Sequence, residues 1–415
     1  MRRIPRPGAS AEKLGKEEHP MRYMVLGAGR QGRACSHDLL AQPETEAVVL
    51  VDAHAAALES AAGSLAPERL RTVRADVGDP EAIRRLAAEV DVVASCVPYR
   101  FNLGLARAAI AGGAHFLDLG GNTPIVLHEL ALDAEAAAAG VTVVPDCGLG
   151  PGLINTVAVA AMEGYEAVDE VAIYVGGLPQ HPVPPLSYAL FFSVEGLVNE
   201  YFGPGTALVD GRRVEVEGLS EVEEIDCPPP LGRCEAAHAA GGLSTMAWTF
   251  EGRVRTMFDK LIRFPGHIAA FHLLRDLGFF DGEPLELDGA RLTPRAVSSR
   301  LLERHLAGRD ERDVVFLRVI VRGVREGRSE ETTCEMTDLF DEATGLTAMA
   351  RTTGFSAAIV ARMLADGTIG VRGARPVEVA VPPAPFLAAA AERGFRFVWR
   401  RRELGAAPGE AEVAK

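Results

Sequence analysis

An apolar run, Tyr23-Met24-Val25-Leu26, stops at glycines spaced G-x-G-x-x-G (Gly27, Gly29, Gly32) and passes directly into a helical segment ending at Leu40. The first glycine permits a tight turn, the second a close approach to backbone, and the third close packing of helix on strand. The following residues repeat this strand-then-helix pattern. AVVLVDA, RTVRADV, DVVASCVP, HFLDLGG and VTVVPD are apolar runs separated by alanine-rich helical segments, one of them opened by Asp79 as cap with Pro80 at its first position. Strands alternating with helices require parallel crossovers, so residues 21–150 are expected to form a doubly wound parallel sheet of the Rossmann type, completed by 349–375.

After CGLGPGLIN the texture changes. From about Glu166 the strands lengthen and prolines cluster. VDEVAIYVGG, TMAWTFEG, RVRTMFDKLIRF, RDVVFLRVIVRGVREG and EETTCEMTDLF read as strands, with HIAAFHLLRDLGF and TPRAVSSRLLERHLAG as amphipathic helices between them. This is an α+β domain over 151–348, with a mixed or antiparallel sheet covered on one face. A helix starts near Gly354. Residues 376–415 form a C-terminal segment with a disordered tail beyond Arg401, and residues 1–20 a disordered extension, with Met21 a second candidate start.

Composition narrows the function. The 415 residues carry a formal net charge of −14, against a nucleic-acid partner and in favour of a cationic rather than anionic small molecule. No stretch of about 18 apolar residues occurs, so no membrane span is expected. The N-terminus lacks the apolar core of a signal peptide. The six cysteines include no C-x-x-C pair and read as reduced thiols of a cytoplasmic protein. The histidines show no metal-ligand spacing, so no metal is expected.

The loop Gly27-Ala28-Gly29-Arg30-Gln31-Gly32 follows a strand, opens a helix, and precedes Asp52 at the end of the next strand by about 20 residues. All the conditions of a dinucleotide fingerprint are met. The helix N-terminus offers amides and positive dipole to a pyrophosphate. Asp52 accepts hydrogen bonds from a ribose and opposes a 2′-phosphate, which favours NAD over NADP, although Arg30 is a cation able to neutralise a phosphate. Asp76 and Val77 are expected near the adenine, Cys96, Val97 and Pro98 near the nicotinamide, and Gly120 and Asn122 beside them.

DLGGN (Asp118–Asn122), PDCGLGPGLIN (Pro145–Asn155), YVGGLP, PPLSYALFFSVEGLVNEY (ending at Tyr201), AHAAGGLSTM (Ala237–Met246) and LIRFPGH (Leu261–His267) occur in this order. Together they resemble the saccharopine dehydrogenase-like reductases, and within them most closely the lysine 6-dehydrogenases, from about Arg22 to Pro376. The resemblance implies NAD-dependent oxidative deamination at the ε-carbon of lysine, with 2-aminoadipate 6-semialdehyde and ammonia as products. It also implies a second domain serving both substrate binding and oligomerisation, as a homodimer or homotetramer. A saccharopine-type enzyme, a dehydrogenase of another ω-amino acid, and a non-catalytic NAD-binding sensor are the alternatives.

Such chemistry needs an uncharged amine, and a free lysine side chain holds its proton up to a pKa of about 10.4. A base or an alkaline medium must remove it. His238 and His267 are the base candidates, each otherwise an ordinary satisfied histidine. Arg263 suits a substrate carboxylate, or is a strand arginine. Ser244 and Thr245 donate to that carboxylate or cap their turn. Tyr188 lines the pocket or the core. Asp118 binds the nicotinamide ribose, orients water, or caps a turn.

Overall fold

The computed structural model describes residues 20–405; the N-terminal extension and the tail beyond Gly405 lie outside the described residues. Strands β1 (Met21–Leu26), β2 (Thr45–Asp52), β3 (Leu70–Arg74), β4 (Val92–Ser95), β5 (His115–Asp118) and β6 (Thr142–Val144) pair in parallel in the order β3-β2-β1-β4-β5-β6. The two-residue strand Gly373–Ala374 extends the sheet beyond β6, also in parallel. Alternation divides each strand between two cores. Tyr23, Val25, Leu50, Ala94 and Leu117 point to one face, and Met24, Leu26, Val51, Val93 and Phe116 to the other. Strand order reverses between β1 and β4, which opens a crevice at their carboxyl ends.

The second domain is a mixed sheet. Strands β7 (Ala167–Pro179), β8 (Pro204–Val209), β9 (Arg212–Glu217), β10 (Glu223–Cys227), β11 (Gly232–His238) and β12 (Val254–Arg263) join the hairpin Asp313–Arg325/Arg328–Leu339 and the last strand, Phe397–Glu403. The order is β10-β11-β12-β7, the hairpin, then the last strand. Only β12 and β7 run parallel within it, and β8 attaches to β12 and β9.

Two helices, Leu153–Met162 and Ala348–Ala365, pack against the second sheet, and one core cluster runs from the first sheet through both helices to Val171, Met257 and Leu317. The longer helix starts at Ala348, six residues before Gly354. Its opening amides are taken by Asp313 (2.6 and 2.8 Å from Ala348 and Met349) and by Thr347. Gly354 sits where a Cβ would lie 2.7 Å from Ala34 and 2.8 Å from the Gln31 carbonyl, so this helix rests directly on the one that follows the glycine loop.

Two sequence expectations need correction. TMAWTFEG contains the helix Met246–Thr249, because Gly241 and Ser244 (φ +43°) turn the chain before it can extend. The last strand reaches Glu403 because Glu330 to Met336 supply an edge for it, so Arg401 and Arg402 are ordered.

Candidate active site

The glycine loop has the backbone its spacing demands. Gly27 takes φ +99°, and a Cβ there would stand 2.9 Å from the Cys96 carbonyl; a Cβ on Gly32 would fall 1.8 Å from the Gly27 carbonyl. Gly29, the cap of the helix Arg30–Ala41, faces open space. That opening lies at the positive end of a helix, where an anion is stabilised by free amides. Asp52 accepts from the amides of Ala28 and His54, both at 2.8 Å, and from the His54 ring at 3.1 Å. Burial raises its pKa, but these hydrogen bonds outweigh burial and hold the carboxyl below its usual range. Asp52 is therefore ionised and fixed beside the loop. The residues present fit a dinucleotide.

Cys96 and Val97 lie against Gly27. Gly120 (φ +73°) and Asn122 follow β5, where Asn122 caps the next helix through Ile125. The sheet thus gathers these residues and the glycine loop at the switch point. Asp76, exposed at the end of β3, caps its own turn through Gly78, and Val77 is partly packed on the second core. Arg30 leaves the loop: its guanidinium donates to the Leu190 carbonyl at 2.6 Å and to Glu311 at 2.5 Å, both in the second domain.

The segment Leu186–Tyr201 crosses the crevice. Arg100 binds Glu195 at 3.0 Å, and Asn199 donates to the Gly121 carbonyl. Behind it lies a packed polar cluster. The Arg263 guanidinium, 3 % exposed, is 5.1 Å from the ring centres of both Tyr188 and Tyr201. It donates to Tyr201 Oη (2.5 Å), the Ile262 carbonyl (2.8 Å) and Glu200 (3.1 Å). Three of its five N–H groups are thus committed. Tyr188 is buried with its hydroxyl unpartnered.

The histidine expectations are corrected here. The His267 ring bonds Tyr201 through Nε2 and the Leu186 carbonyl through Nδ1, each at 2.8 Å. Burial and Arg263 lower its pKa to about 3, so it is a neutral ring that orients Tyr201 with no nitrogen left for a substrate. His238 pairs in register with Lys260, on the opposite face of β12 from Leu261 and Arg263, and contacts Glu221 at 3.1 Å.

Ser244 and Thr245 are also engaged. Ser244 donates to Asp146 Oδ2 at 2.5 Å; Thr245 and Thr249 donate to Glu378 at 3.0 and 2.6 Å. Asp146 ties the loop Ala239–Thr245 to the first domain and Glu378 ties it to the helix Val377–Ala380, so its hydroxyls serve position. Asp118 caps the turn at Gly120 at 2.6 Å, and its other oxygen has no donor except a protonated Glu129. Burial and Asp118 push the Glu129 carboxyl up to about 11, so that proton resides on Glu129.

Sequence reading missed Asp146, Glu200, Tyr201 and Asp259. Asp259 had a legible signal: a carboxylate at the period-two spacing of the apolar Met257 and Leu261 in the strand TMFDKLI. Asp146 stands two residues beyond β6, where the crevice must form. Nothing local marks Glu200 and Tyr201, whose partners stand 63 and 62 residues away.

Comparison with known proteins agrees with this architecture. The model of the saccharopine dehydrogenase NADP binding domain matches residues 23–144, and that of the saccharopine dehydrogenase C-terminal domain matches residues 148–395. The mitochondrial alpha-aminoadipic semialdehyde synthase of Mus musculus is 24 % identical over 375 residues, covering 73 % of this chain and 40 % of its own. The saccharopine dehydrogenase [NADP(+), L-glutamate-forming] of Schizosaccharomyces pombe is 23 % identical over 56 % of this chain and 54 % of its own. The chain spans 26 to 40 % of the semialdehyde synthases it matches. The apo saccharopine dehydrogenase (L-Glu forming) of Saccharomyces cerevisiae superposes with a TM-score of 0.74 at 20 % identity, over 92 % of this chain and all of that one, and so shares the fold. With matched models over both sheets, the chain belongs to the saccharopine dehydrogenase family, and its first domain is a pyridine-nucleotide binding domain.

Proposed function

We propose that the protein oxidises the ε-amine of lysine with NAD, releasing ammonia. The observation that carries this reading is the charge arrangement at the seam between the domains. Three arginines there already face an acid: Arg30 with Glu311, Arg100 with Glu195, Arg263 with Glu200. Asp118, Asp146 and Asp259, by contrast, keep buried oxygens without a donor among the described residues except for the proton of Glu129. Such a seam favours a ligand with an excess of ammonium over carboxylate. Lysine, with two ammonium groups and one carboxylate, fits; an adduct with additional carboxylates would have to compete with acids already seated on Arg30, Arg100 and Arg263.

In this reading the glycine loop amides hold the pyrophosphate and Asp52 the adenosine ribose; its ionised carboxylate repels a 2′-phosphate, which supports NAD over NADP. When bound, the nicotinamide supplies a two-electron acceptor for hydride. The two uncommitted N–H groups of Arg263 and the Tyr188 hydroxyl take the substrate's one carboxylate. Segment Leu186–Tyr201 covers the crevice and keeps water from the imine. We assign the enzyme to the cytoplasm. It acts as a homodimer or homotetramer, for which light scattering should give a multiple of the 44.1-kDa chain.

The test is absorbance of reduced nicotinamide with NAD or NADP and each of lysine, saccharopine and other ω-amino acids. Lysine with NAD should react fastest. The family match favours a second reading, a saccharopine-type dehydrogenase, and a rise with saccharopine alone would replace the first. Nucleotide binding with no turnover would leave a sensor.

A further inference from the structure

Asp259 lies in the middle of β12, on the same face as Met257, which packs in the core shared with the first domain, and as Leu261 and Arg263, which pack beneath the segment Leu186–Tyr201. It is 5 % exposed, and its Oδ1 has no hydrogen-bond partner. No salt bridge to it occurs among the described residues. A fold has no reason to bury such a carboxyl for stability: desolvation costs, and nothing local compensates.

The surroundings are arranged around it. A Cβ on Gly242 would lie 1.7 Å from Asp259 Oδ2, so only glycine allows the loop to close over the carboxyl. That loop is pinned at both neighbouring hydroxyls, Ser244 on Asp146 and Thr245 on Glu378. Its other end hangs from the Glu200 carbonyl through Ala240, and the loop meets the first domain at Thr123, 3.6 Å from the Cβ position of Gly241. From the helix Val194–Tyr201 the charged group facing Asp259 is Glu200, whose carboxylate also binds Arg263. From β7 its register partner is Ile173, which carries no charge; the loop offers only Gly242; and Asp146 stands behind Ser244. Glu200 is 37 % exposed, so the group closes on one side and reaches water on the other.

We propose that Asp259 binds the reacting ammonium of the substrate and takes its proton. This rests on the amine-oxidation reading above. The N–H bond breaks and an O–H bond forms on Asp259, leaving the electron pair on nitrogen. The adjacent C–H bond then breaks with both its electrons, which leave as hydride for the nicotinamide dinucleotide, while the nitrogen pair forms the C=N bond. The proton on Asp259 returns to water past Glu200. Burial, and then Glu200, raise the Asp259 pKa to about 7, close to what a base working near neutral pH needs.

Calorimetry on the full chain tests the assignment without turnover. Lysine should bind Asp259→Asn at least 10-fold more weakly than wild type, whereas norleucine, which has no terminal amine, should bind both equally. A lysine affinity unchanged relative to norleucine overturns the proposal. In kinetics, Asp259→Asn should lose at least 100-fold in kcat and the acid limb near pH 7, keep its affinity for reduced dinucleotide, and be partly restored by Asp259→Glu. Should the variants fail to fold, infrared titration of wild type decides: a carboxyl band titrating near pH 7 should shift to lower pH with lysine and stay in place with norleucine, and a band indifferent to lysine overturns the proposal. Wild type that oxidises no amine sinks the functional reading alone; wild type active on lysine beside an Asp259→Asn variant with the same rate and pH profile sinks this one alone.

Discussion

At the scale of single residues, Asp52 and Arg263 show how a fold commits a charge in advance. Asp52 is held by two amides before any ligand arrives. Asp52→Ser removes hydrogen bonds to a charged acceptor, each about 1.5–3 kcal/mol, and, on the proposed use of NAD, should raise the KM for NAD roughly 10- to 100-fold while moving the NAD-to-NADP ratio of kcat/KM toward NADP. Steady-state kinetics with both dinucleotides checks this. Arg263→Ala leaves Glu200 unpaired, but Glu200 is 37 % exposed and rehydrates. The loss should fall below the about 3–5 kcal/mol of a broken fully buried pair, and show in calorimetry as a lower Tm and, on the proposed function, in steady-state kinetics as a higher KM for lysine. Asp259 carries a pH signature of its own. Its folded pKa, about 7, exceeds the unfolded value, so its contribution to stability is complete below the unfolded pKa and lost as pH rises through 7. Asp259→Asn should therefore raise Tm at pH 8 and leave it unchanged at pH 4. His267 has the opposite sign: a folded value near 3 means stability is lost as pH falls from its ordinary 6.5 toward 3.

At the scale of elements, the sequence was most informative where one local pattern dictates one outcome. The glycine loop, the period-two strands of the first sheet and the Asp79–Pro80 cap were readable because their partners are near in sequence or are the backbone itself. The second domain was read less well. Strands β8 to β11 are short and polar on one side, and their pairing depends on β12, which comes later in the chain. Of the site, the nucleotide half followed from spacing, whereas the substrate half is assembled from side chains that meet only after folding; a histidine's free nitrogen or a serine's free hydroxyl cannot be read from its neighbours. Helix packing offers an element-scale test. Gly354→Val forces the helix Ala348–Ala365 off Ala34 and Gln31. It should lower Tm, by overpacking of about 1–3 kcal/mol, and weaken dinucleotide binding, since the displaced neighbour is the helix that begins at the glycine loop. Fluorescence titration with reduced dinucleotide reads the second effect.

At the scale of the whole molecule, one apolar cluster joins both sheets. Two domains that share a core should unfold together. Both tryptophans, Trp248 and Trp399, belong to the second domain, so their emission and the release of bound dinucleotide report on different halves. The two signals should lose half their amplitude at the same urea concentration; separate midpoints would show that the halves part before they melt. The order in which the chain visits the sheets has a further consequence. It builds β1 to β6, moves to the second sheet, returns for the helix Ala348–Ala365 and the strand Gly373–Ala374, and ends in the second sheet again with Phe397–Glu403. No single cut can liberate either half intact. An amino-terminal fragment would lack the helix that roofs its own sheet, and a carboxyl-terminal one would carry a helix seeking a floor. During synthesis, the nucleotide-binding half must therefore wait for Ala348–Ala365 and Gly373–Ala374 before it can close.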